Sequence, residues 1–436
     1  MRNEKQNSQT RSKRRDFWRS FPLGLIDTSD LPLKAPWAVV YLAGAIWVWG
    51  RRDAALRLLE NAPLASPIME SLLKHIFPAY LLLGGLALVV LMLYPMGRKA
   101  TEDELQRVGL TNRVGDAPRL LRKRRGAEHP NISVWEFDNR GIPLKEWEDN
   151  QGRIEAALDI TIAKIQYGRG KRRVLLYAVP ARDGLPQRID WKDRYLPQDD
   201  FVLALGESLL GPVTVDLDKT PHILLGGSTG SGKSVLLKLL LMQAVQKGAE
   251  VYIADFKGGV DFPKAWRQKC RMCFTEVDLL QTLDRLVDIQ KERSEQFAKA
   301  GYEKLAVYNR ATGERLPRLI FACDEVAEVL DSTGLDKTDK EFRKKIESRL
   351  STLARLGRAF GIHLILATQR PDTNVIPGQI RSNMDFRVCG RADSILSGII
   401  LGNGKADEQI SKDASGRFVT GNGTLFQGYL FNGELD

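Results

Sequence analysis

The chain has 436 residues, with 65 Lys and Arg against 54 Asp and Glu and a formal net charge of +11. That length excludes a single ordinary domain, and the charge balance fits either an acidic partner such as nucleic acid or anionic lipid or the basic cytoplasmic flanks common in membrane proteins. Four cysteines suit a reducing compartment; the close pair Cys270 and Cys273 lacks the second pair that a zinc site needs, so core or surface thiols are its default reading, with zinc or redox chemistry as the alternative.

Residues 1–34 form a basic tail with Arg11, Lys13, Arg14, Arg15 and Arg19. Two apolar runs follow within 35–97. The first, Ala35 to Gly50, is uncharged and carries Trp37, Trp47 and Trp49 near its ends, where interfacial aromatics are expected. The second, Ile76 to Met96, is long enough as a helix to cross the roughly 30 Å hydrocarbon core and is followed by Arg98 and Lys99. These runs predict a transmembrane helical hairpin in the cell membrane. The flanking positive charges place both termini on the cytoplasmic side, although Arg51, Arg52 and Arg57 in the connecting loop run against that assignment.

Residues 98–200 read as a small α/β linker domain. Ile132 to Phe137 and Arg173 to Val179 alternate like strands, and Glu148 to Tyr167 has Ile154, Ala157, Leu158, Ile162 and Ile165 at helical spacing. The run Leu120 to Arg125 is basic, and a solvated face is its default reading, with headgroups or DNA as the alternative contact.

Residues 201–436 carry the chemistry. In PHILLGGSTGSGKS an apolar strand, His222 to Leu225, runs into Gly227-Ser228-Thr229-Gly230-Ser231-Gly232-Lys233-Ser234, and a Leu-rich helix follows from Val235 to about Gln246. This is the strand–loop–helix setting of a P-loop. Glycines let backbone N–H groups turn toward ATP phosphates at a helix N-terminus, Lys233 supplies positive charge, and Ser234 supplies a hydroxyl ligand for Mg²⁺. A second strand, Ala249 to Asp255, leads into Phe256-Lys257-Gly258-Gly259. A third, Arg318 to Cys323, ends in Asp324-Glu325, the Walker B pattern, with Asp324 for the Mg²⁺ shell and Glu325 as general base. A fourth, His363 to Thr368, ends in Gln369, whose amide can sense a γ-phosphate. A helix with Phe342, Ile346, Leu350, Leu353 and Leu356 on one face precedes it. A fifth strand at Asp385 to Gly390 and a hairpin at Arg417 to Phe431 complete the pattern. Strands alternating with helices predict a parallel sheet with ligand at its carboxyl ends. Candidate DNA contacts are the loop Asp372 to Met384 with Arg381, and the basic cluster Lys337, Lys340, Arg343, Lys344 and Lys345, for which an exposed helix face is the default reading.

LARLGRAFGIHLILATQRPDTNVIPGQIRSN, Leu353 to Asn383, resembles the signature stretch of FtsK/SpoIIIE-type DNA translocases, and HILLGGSTGSGKS and IADFKGG resemble the P-loop and second-strand motifs of the same family. The whole arrangement is most similar to the TcpA-type conjugative coupling proteins of Gram-positive bacteria. The resemblance implies a RecA-like hexameric motor that moves DNA with ATP and Mg²⁺ and meets a relaxase and transfer-channel proteins. It implies that Arg293, in the stretch Ile289 to Asn309, is an arginine finger acting on a neighbouring subunit, and that Arg358 reads the nucleotide state. No room follows Phe431 for the winged-helix domain of chromosome-segregating members, which turns the expectation toward conjugation. The alternatives are an FtsK-like chromosome DNA pump, an ESX or type VII protein-export ATPase, and a membrane tether that uses nucleotide only as a switch.

Overall fold

The computed structural model describes residues 31–60, 67–93, 96–127, 129–370 and 376–435; for parts of the N-terminal helices only the backbone is described. The basic tail 1–30 and the start of the expected DNA loop, 371–375, lie outside the described residues. The chain divides into two compact units after Asp183, so residues 184–200 fold with the second unit and not with the linker domain.

In the first unit, helices α1 (Leu31–Glu60) and α2 (Pro67–Leu93) pack against each other. The Tyr41 hydroxyl donates to the Leu81 carbonyl at 2.8 Å. Both expected apolar runs are helical within these bounds. Among the described residues no helix is long and apolar enough to cross a membrane; the side chains of Ile76, Phe77 and residues 93–96 in the second run fall outside that description.

Helix α3 (Met96–Arg107) leads into a four-stranded antiparallel sheet of order β1-β2-β4-β3, built from β1 (Arg119–Arg125), β2 (Ser133–Asp138), β3 (Ile160–Gly168) and β4 (Gly170–Pro180). Helices α4 (Leu144–Asp149) and α5 (Gln151–Leu158) precede β3 and cover it. Trp147 and Phe137 meet edge to face at 5.1 Å in a core with Ile154, Val174 and Leu176. The helix expected over 148–167 is therefore two elements. Asp159 takes a left-handed conformation, φ 51°, and ends α5, and the β-branched run Ile160-Thr161-Ile162 then pairs in the sheet. The basic run 120–125 is part of the edge strand β1, where Arg122 pairs with Glu136 at 2.6 Å.

The second unit begins with β5 (Ile189–Asp190), β6 (Val202–Ser208) and β7 (Gly211–Asp216), followed by β8 (Ile223–Gly226) and α6 (Lys233–Gln246). Then come β9 (Glu250–Ala254), α7 (Lys264–Lys269), β10 (Arg271–Cys273), α8 (Glu276–Ala300) and α9 (Leu305–Thr312). β11 (Leu319–Cys323), α10 (Val326–Leu330), α11 (Lys337–Leu356) and β12 (Ile362–Thr368) follow. The chain closes with α12 (Gly378–Arg381), β13 (Phe386–Cys389), α13 (Ser394–Leu401), α14 (Lys405–Gln409), β14 (Arg417–Thr420) and β15 (Leu425–Leu430).

These strands make one sheet of order β10-β9-β11-β12-β8-β13-β14-β15-β6-β7, with β5 alongside β15. The stretch from β10 to β13 is parallel, as the alternation of strands and helices predicts. From β14 onward the pairs are antiparallel, apart from β5, so the sheet is mixed and not purely parallel as expected. The reason is local: β14 and β15 form a tight hairpin, and hairpin strands are antiparallel by construction.

Alternate strand residues face opposite layers. Leu224, Phe321, Leu364 and Leu366 pack on α8, α11 and α13, whereas Ile223, Leu225, Ile320, Ile365 and Ala367 pack on α6 and Trp266 of α7. Such double-sided burial explains why the central strands read as continuous apolar runs. Cys270, Cys273, Cys323 and Cys389 are all buried free thiols in these layers.

Close backbone approach fixes one glycine in the antiparallel extension. A Cβ at Gly206 in β6 would lie 2.0 Å from the Gln427 carbonyl oxygen in β15. Gly206→Ala is therefore expected to destabilise the second unit by about 1–3 kcal/mol, as overpacking does. Gly378→Ala, where nothing lies within 4 Å of the added atom, is expected to stay within about 0.5 kcal/mol of the parent. Chemical unfolding midpoints of the two variants test the contrast.

Candidate functional site

Because β8, β9, β11 and β12 run parallel, the loops that follow them leave the sheet at one edge. The order β11-β12-β8 puts β12 between the strand carrying the P-loop and the strand carrying the two acids. Thr368 and Gln369 therefore stand between the phosphate turn and Asp324-Glu325.

The turn 227–234 is shaped by its glycines and by its neighbours. Gly232 has φ 96°, and a Cβ there would meet the Gly416 backbone at 3.1 Å, so only glycine suits the entry to α6. The turn is clamped from outside. Ser228 N–H donates to the Arg391 carbonyl at 2.7 Å, Gly416 N–H donates to the Ser231 carbonyl at 2.9 Å, and the Arg391 guanidinium donates to the carbonyls of Thr229 and Lys412 at 2.7 and 2.6 Å. Among the described residues none accepts a hydrogen bond from the N–H of Thr229, Gly230 or Gly232. Open amides beside the positive end of a 14-residue helix make an anion cradle.

Lys233 is 3% exposed and donates to the Asp324 carboxylate at 2.7 Å and to the Asp324 carbonyl at 2.6 Å. The Ser234 hydroxyl lies 3.1 and 3.3 Å from the two Asp324 carboxylate oxygens. Burial by itself would raise the Asp324 pKa, but the charges and hydrogen bonds of Lys233, Lys257 and Ser234 outweigh it and hold the carboxyl below its ordinary range. A hydroxyl and a carboxylate side by side are hard oxygen donors that fit a Mg²⁺ bound mainly through phosphate and water.

Glu325 is held by β12. Thr368 Oγ1 donates to one carboxylate oxygen at 2.7 Å and the Gln369 N–H donates to the other at 2.8 Å. The Gln369 side chain in turn accepts from the Thr229 hydroxyl at 2.9 Å. The structure thus brings together Thr229, Lys233, Ser234, Asp324, Glu325 and Gln369, six of the residues singled out from sequence. Next to Gly232, an apolar recess of about 200 Å³ is lined by Val235, Leu236, Phe418 and Tyr429; its size and character suit a planar base.

The two expected arginines lie at the other edge of the sheet, where β11 and β12 begin. Arg293 is 5% exposed, and its guanidinium donates to the carbonyls of Phe360 and Pro317 at 2.6 and 2.7 Å. Both arms are spent inside the fold, so Arg293 does not present a finger on the surface. Its helix α8 also ends at Gly301, φ 74°, so the stretch 289–309 is two helices. Arg358 is exposed, with its Nε donating to the Asp218 carbonyl at 3.2 Å. Beside it lies a polar cluster: buried Arg318 pairs with the exposed Asp218 at 2.7 Å and contacts buried His363, whose pKa is pushed well below the ordinary value by burial and by the Arg318 charge. In the expected DNA-binding regions, Ile376, Ile380 and Met384 are buried and Arg381 is partly exposed; Arg343 is paired with Glu276 at 2.6 Å.

Residues 187–373 match the model of the FtsK/SpoIIIE family. The structure also resembles that of the pCW3 conjugation coupling protein TcpA in monomer form with ATPγS. The TM-score is 0.58 at 32% identity, covering 78% of this chain and 96% of that one. The chain belongs to the FtsK/SpoIIIE family. Among curated members, it is 31% identical over 236 residues to DNA translocase SftA of Bacillus subtilis, covering 50% of this chain and 24% of SftA. It is 33% identical over 211 residues to DNA translocase FtsK of Lactococcus lactis subsp. cremoris, covering 44% of this chain and 26% of that FtsK. The chain spans about a quarter of the length of these curated FtsK/SpoIIIE relatives.

Two contributors were not legible in sequence, Arg391 and Thr368. Nothing in local spacing marks Arg391, which lies 157 residues beyond Ser234. Loss of its two hydrogen bonds in Arg391→Ala is expected to loosen the phosphate turn and weaken ATPγS binding about tenfold, an effect of about 1–2 kcal/mol. Isothermal titration checks this, and an unchanged affinity would mean that the turn keeps its shape without the guanidinium.

Proposed function

We propose that the chain is a membrane-anchored, ATP-driven DNA translocase that serves as the coupling protein in conjugative DNA transfer. The extent of the likeness to TcpA carries this reading. The second unit, 184–436, is less than three fifths of the chain, so a match over 78% of it reaches into the first unit. SftA and the Lactococcus lactis FtsK match over half of the chain or less. Both relatives are DNA translocases, which favours a second reading as an FtsK-like chromosome DNA pump.

In the proposed reaction, ATP phosphates occupy the 227–234 turn and the base enters the recess beside Phe418. Lys233 neutralises developing charge on the γ-phosphoryl group, and Glu325, oriented by Thr368 and the Gln369 amide, polarises the attacking water. Mg²⁺ would be held by Ser234 and the Asp324 shell and would neutralise phosphate charge. Gln369, tied to Thr229, is poised to report loss of the γ-phosphate to the loop that follows it, which is where DNA would be gripped. Copies assemble as a hexamer, and the exposed Arg358 is the better candidate for a group that reaches a neighbour's nucleotide. A relaxase and channel proteins complete the proposed machine.

Membrane anchoring draws support from α1 and α2. They leave Trp37, Val40, Ile46, Trp47, Leu82 and Leu86 exposed, a surface that favours lipid over water. The motor would then face the cytoplasm, where ATP is available.

ATP hydrolysis by the purified chain, measured with and without DNA across a salt series, tests the proposal. DNA is expected to stimulate turnover at low salt and to lose its effect as salt rises. Glu325→Gln is expected to lower the rate by about 10²–10⁴-fold. No stimulation at low salt would turn the assignment from DNA toward protein export.

A further inference from the structure

The Asp324 carboxylate is contacted by two ammonium groups. Oδ1 takes Lys233, and Oδ2 lies 3.5 Å from Nζ of Lys257, which also sits 2.9 Å from the Asp261 carboxylate. Strand register brings the second lysine there. Ala254 in β9 is opposite Cys323 in β11, so the two chains leave the sheet side by side as Asp255 and Asp324. The Asp255 carboxylate then accepts the Lys257 N–H at 3.0 Å, which turns the loop back, and Gly258 and Gly259 continue it at φ 73° and 81°. Asp255 keeps its other oxygen, Oδ2, buried with no partner among the described residues, adding negative charge near the lysine's own backbone.

The two lysines differ in what surrounds them. Lys233 is buried within α6, whereas the Lys257 side chain is 53% exposed on a loop and has a second anion four residues away. Asp324 and Ser234 are also the donors that suit a divalent cation. A 2+ ion at those oxygens and an ammonium at Oδ2 of the same carboxylate repel each other, so both cannot hold Asp324 fully. Asp261 already holds this ammonium by the shorter contact and can keep it when Asp324 turns to a metal.

Building on the reading of the 227–234 turn as the Mg²⁺–ATP site, we infer that Lys257 competes with the divalent cation for Asp324, and that metal entry ends its contact with Asp324 and leaves it paired with Asp261 alone. The lysine–Asp261 pair sets how much Mg²⁺ the site needs. Lys257 is thus a positioning residue for the metal carboxylate and not a group that touches the reacting phosphoryl.

The test uses the full chain and equilibrium binding of a fluorescent ATPγS analogue titrated with MgCl₂, a readout independent of turnover. Lys257→Met is expected to lower the Mg²⁺ concentration at half-maximal binding by about two- to fivefold, the scale of a partly exposed ion pair. Asp261→Asn, a partly exposed change that leaves the lysine only Asp324, is expected to raise that concentration by a similar factor. The double variant should follow Lys257→Met, and Lys257→Arg should stay near the parent. An unmoved midpoint in either single variant, or shifts of the same sign in both, would overturn the role of Lys257 while leaving the nucleotide site standing. A parent chain that binds no analogue at any Mg²⁺ concentration would overturn both.

Discussion

Two opposite charges sealed together, Lys233 at 3% and the Asp324 side chain at 9% exposure, organise this molecule's functional edge. Neither charge could be buried there alone, since an unpaired ion inside a protein is costly and removal of one partner of such a pair typically costs about 3–5 kcal/mol. The pair joins residues 91 positions apart, so it exists only because the parallel sheet delivers β8 and β11 to the same edge. Every other feature of the site is arranged around it. Ser234 shares the same carboxylate, Lys257 approaches its second oxygen, and Glu325 lies one residue along the chain.

The insertion of β12 between β8 and β11 gives this edge its coupling. Thr368 and Gln369 touch Glu325 on one side, and Gln369 touches Thr229 on the other. A change at the phosphate turn is therefore one side chain away from the residue that would activate water. It is also one residue away from Arg370, at the start of the segment that leads toward Ile376 and α12. The antiparallel strands β14 and β15 complete the opposite flank, where Phe418 and Tyr429 wall the apolar recess and Gly416 braces the turn.

What could be read from sequence follows from how local each signal is. The P-loop, the strand ending in Asp324-Glu325 and the strand ending in Gln369 were all legible, because each is a short apolar run followed directly by its chemical residues. Sheet order was not legible, since nothing in β12 says which strands flank it. The helix expected over 148–167 failed because Ile154, Ala157, Leu158, Ile162 and Ile165 satisfy helical spacing while Asp159 breaks the backbone between them. The family resemblance implies a finger at Arg293, but burial depends on tertiary packing, and its guanidinium caps the carbonyls of Phe360 and Pro317 instead. Lys257 lies in the family-like IADFKGG segment, yet its proximity to Asp324 comes from register between β9 and β11 and leaves no trace in spacing.

In the proposed reaction the Lys233 ammonium belongs to phosphate, and Asp324 holds it in place for that task. The most direct measurement is a high-resolution structure of the chain with ATPγS and Mg²⁺, read at Lys233 Nζ. Nζ is expected to move out of the 2.7 Å contact with Asp324 and onto the β- and γ-phosphate oxygens, with Ser234 on the metal. Nucleotide bound elsewhere, with the Lys233–Asp324 contact unchanged, would contradict it.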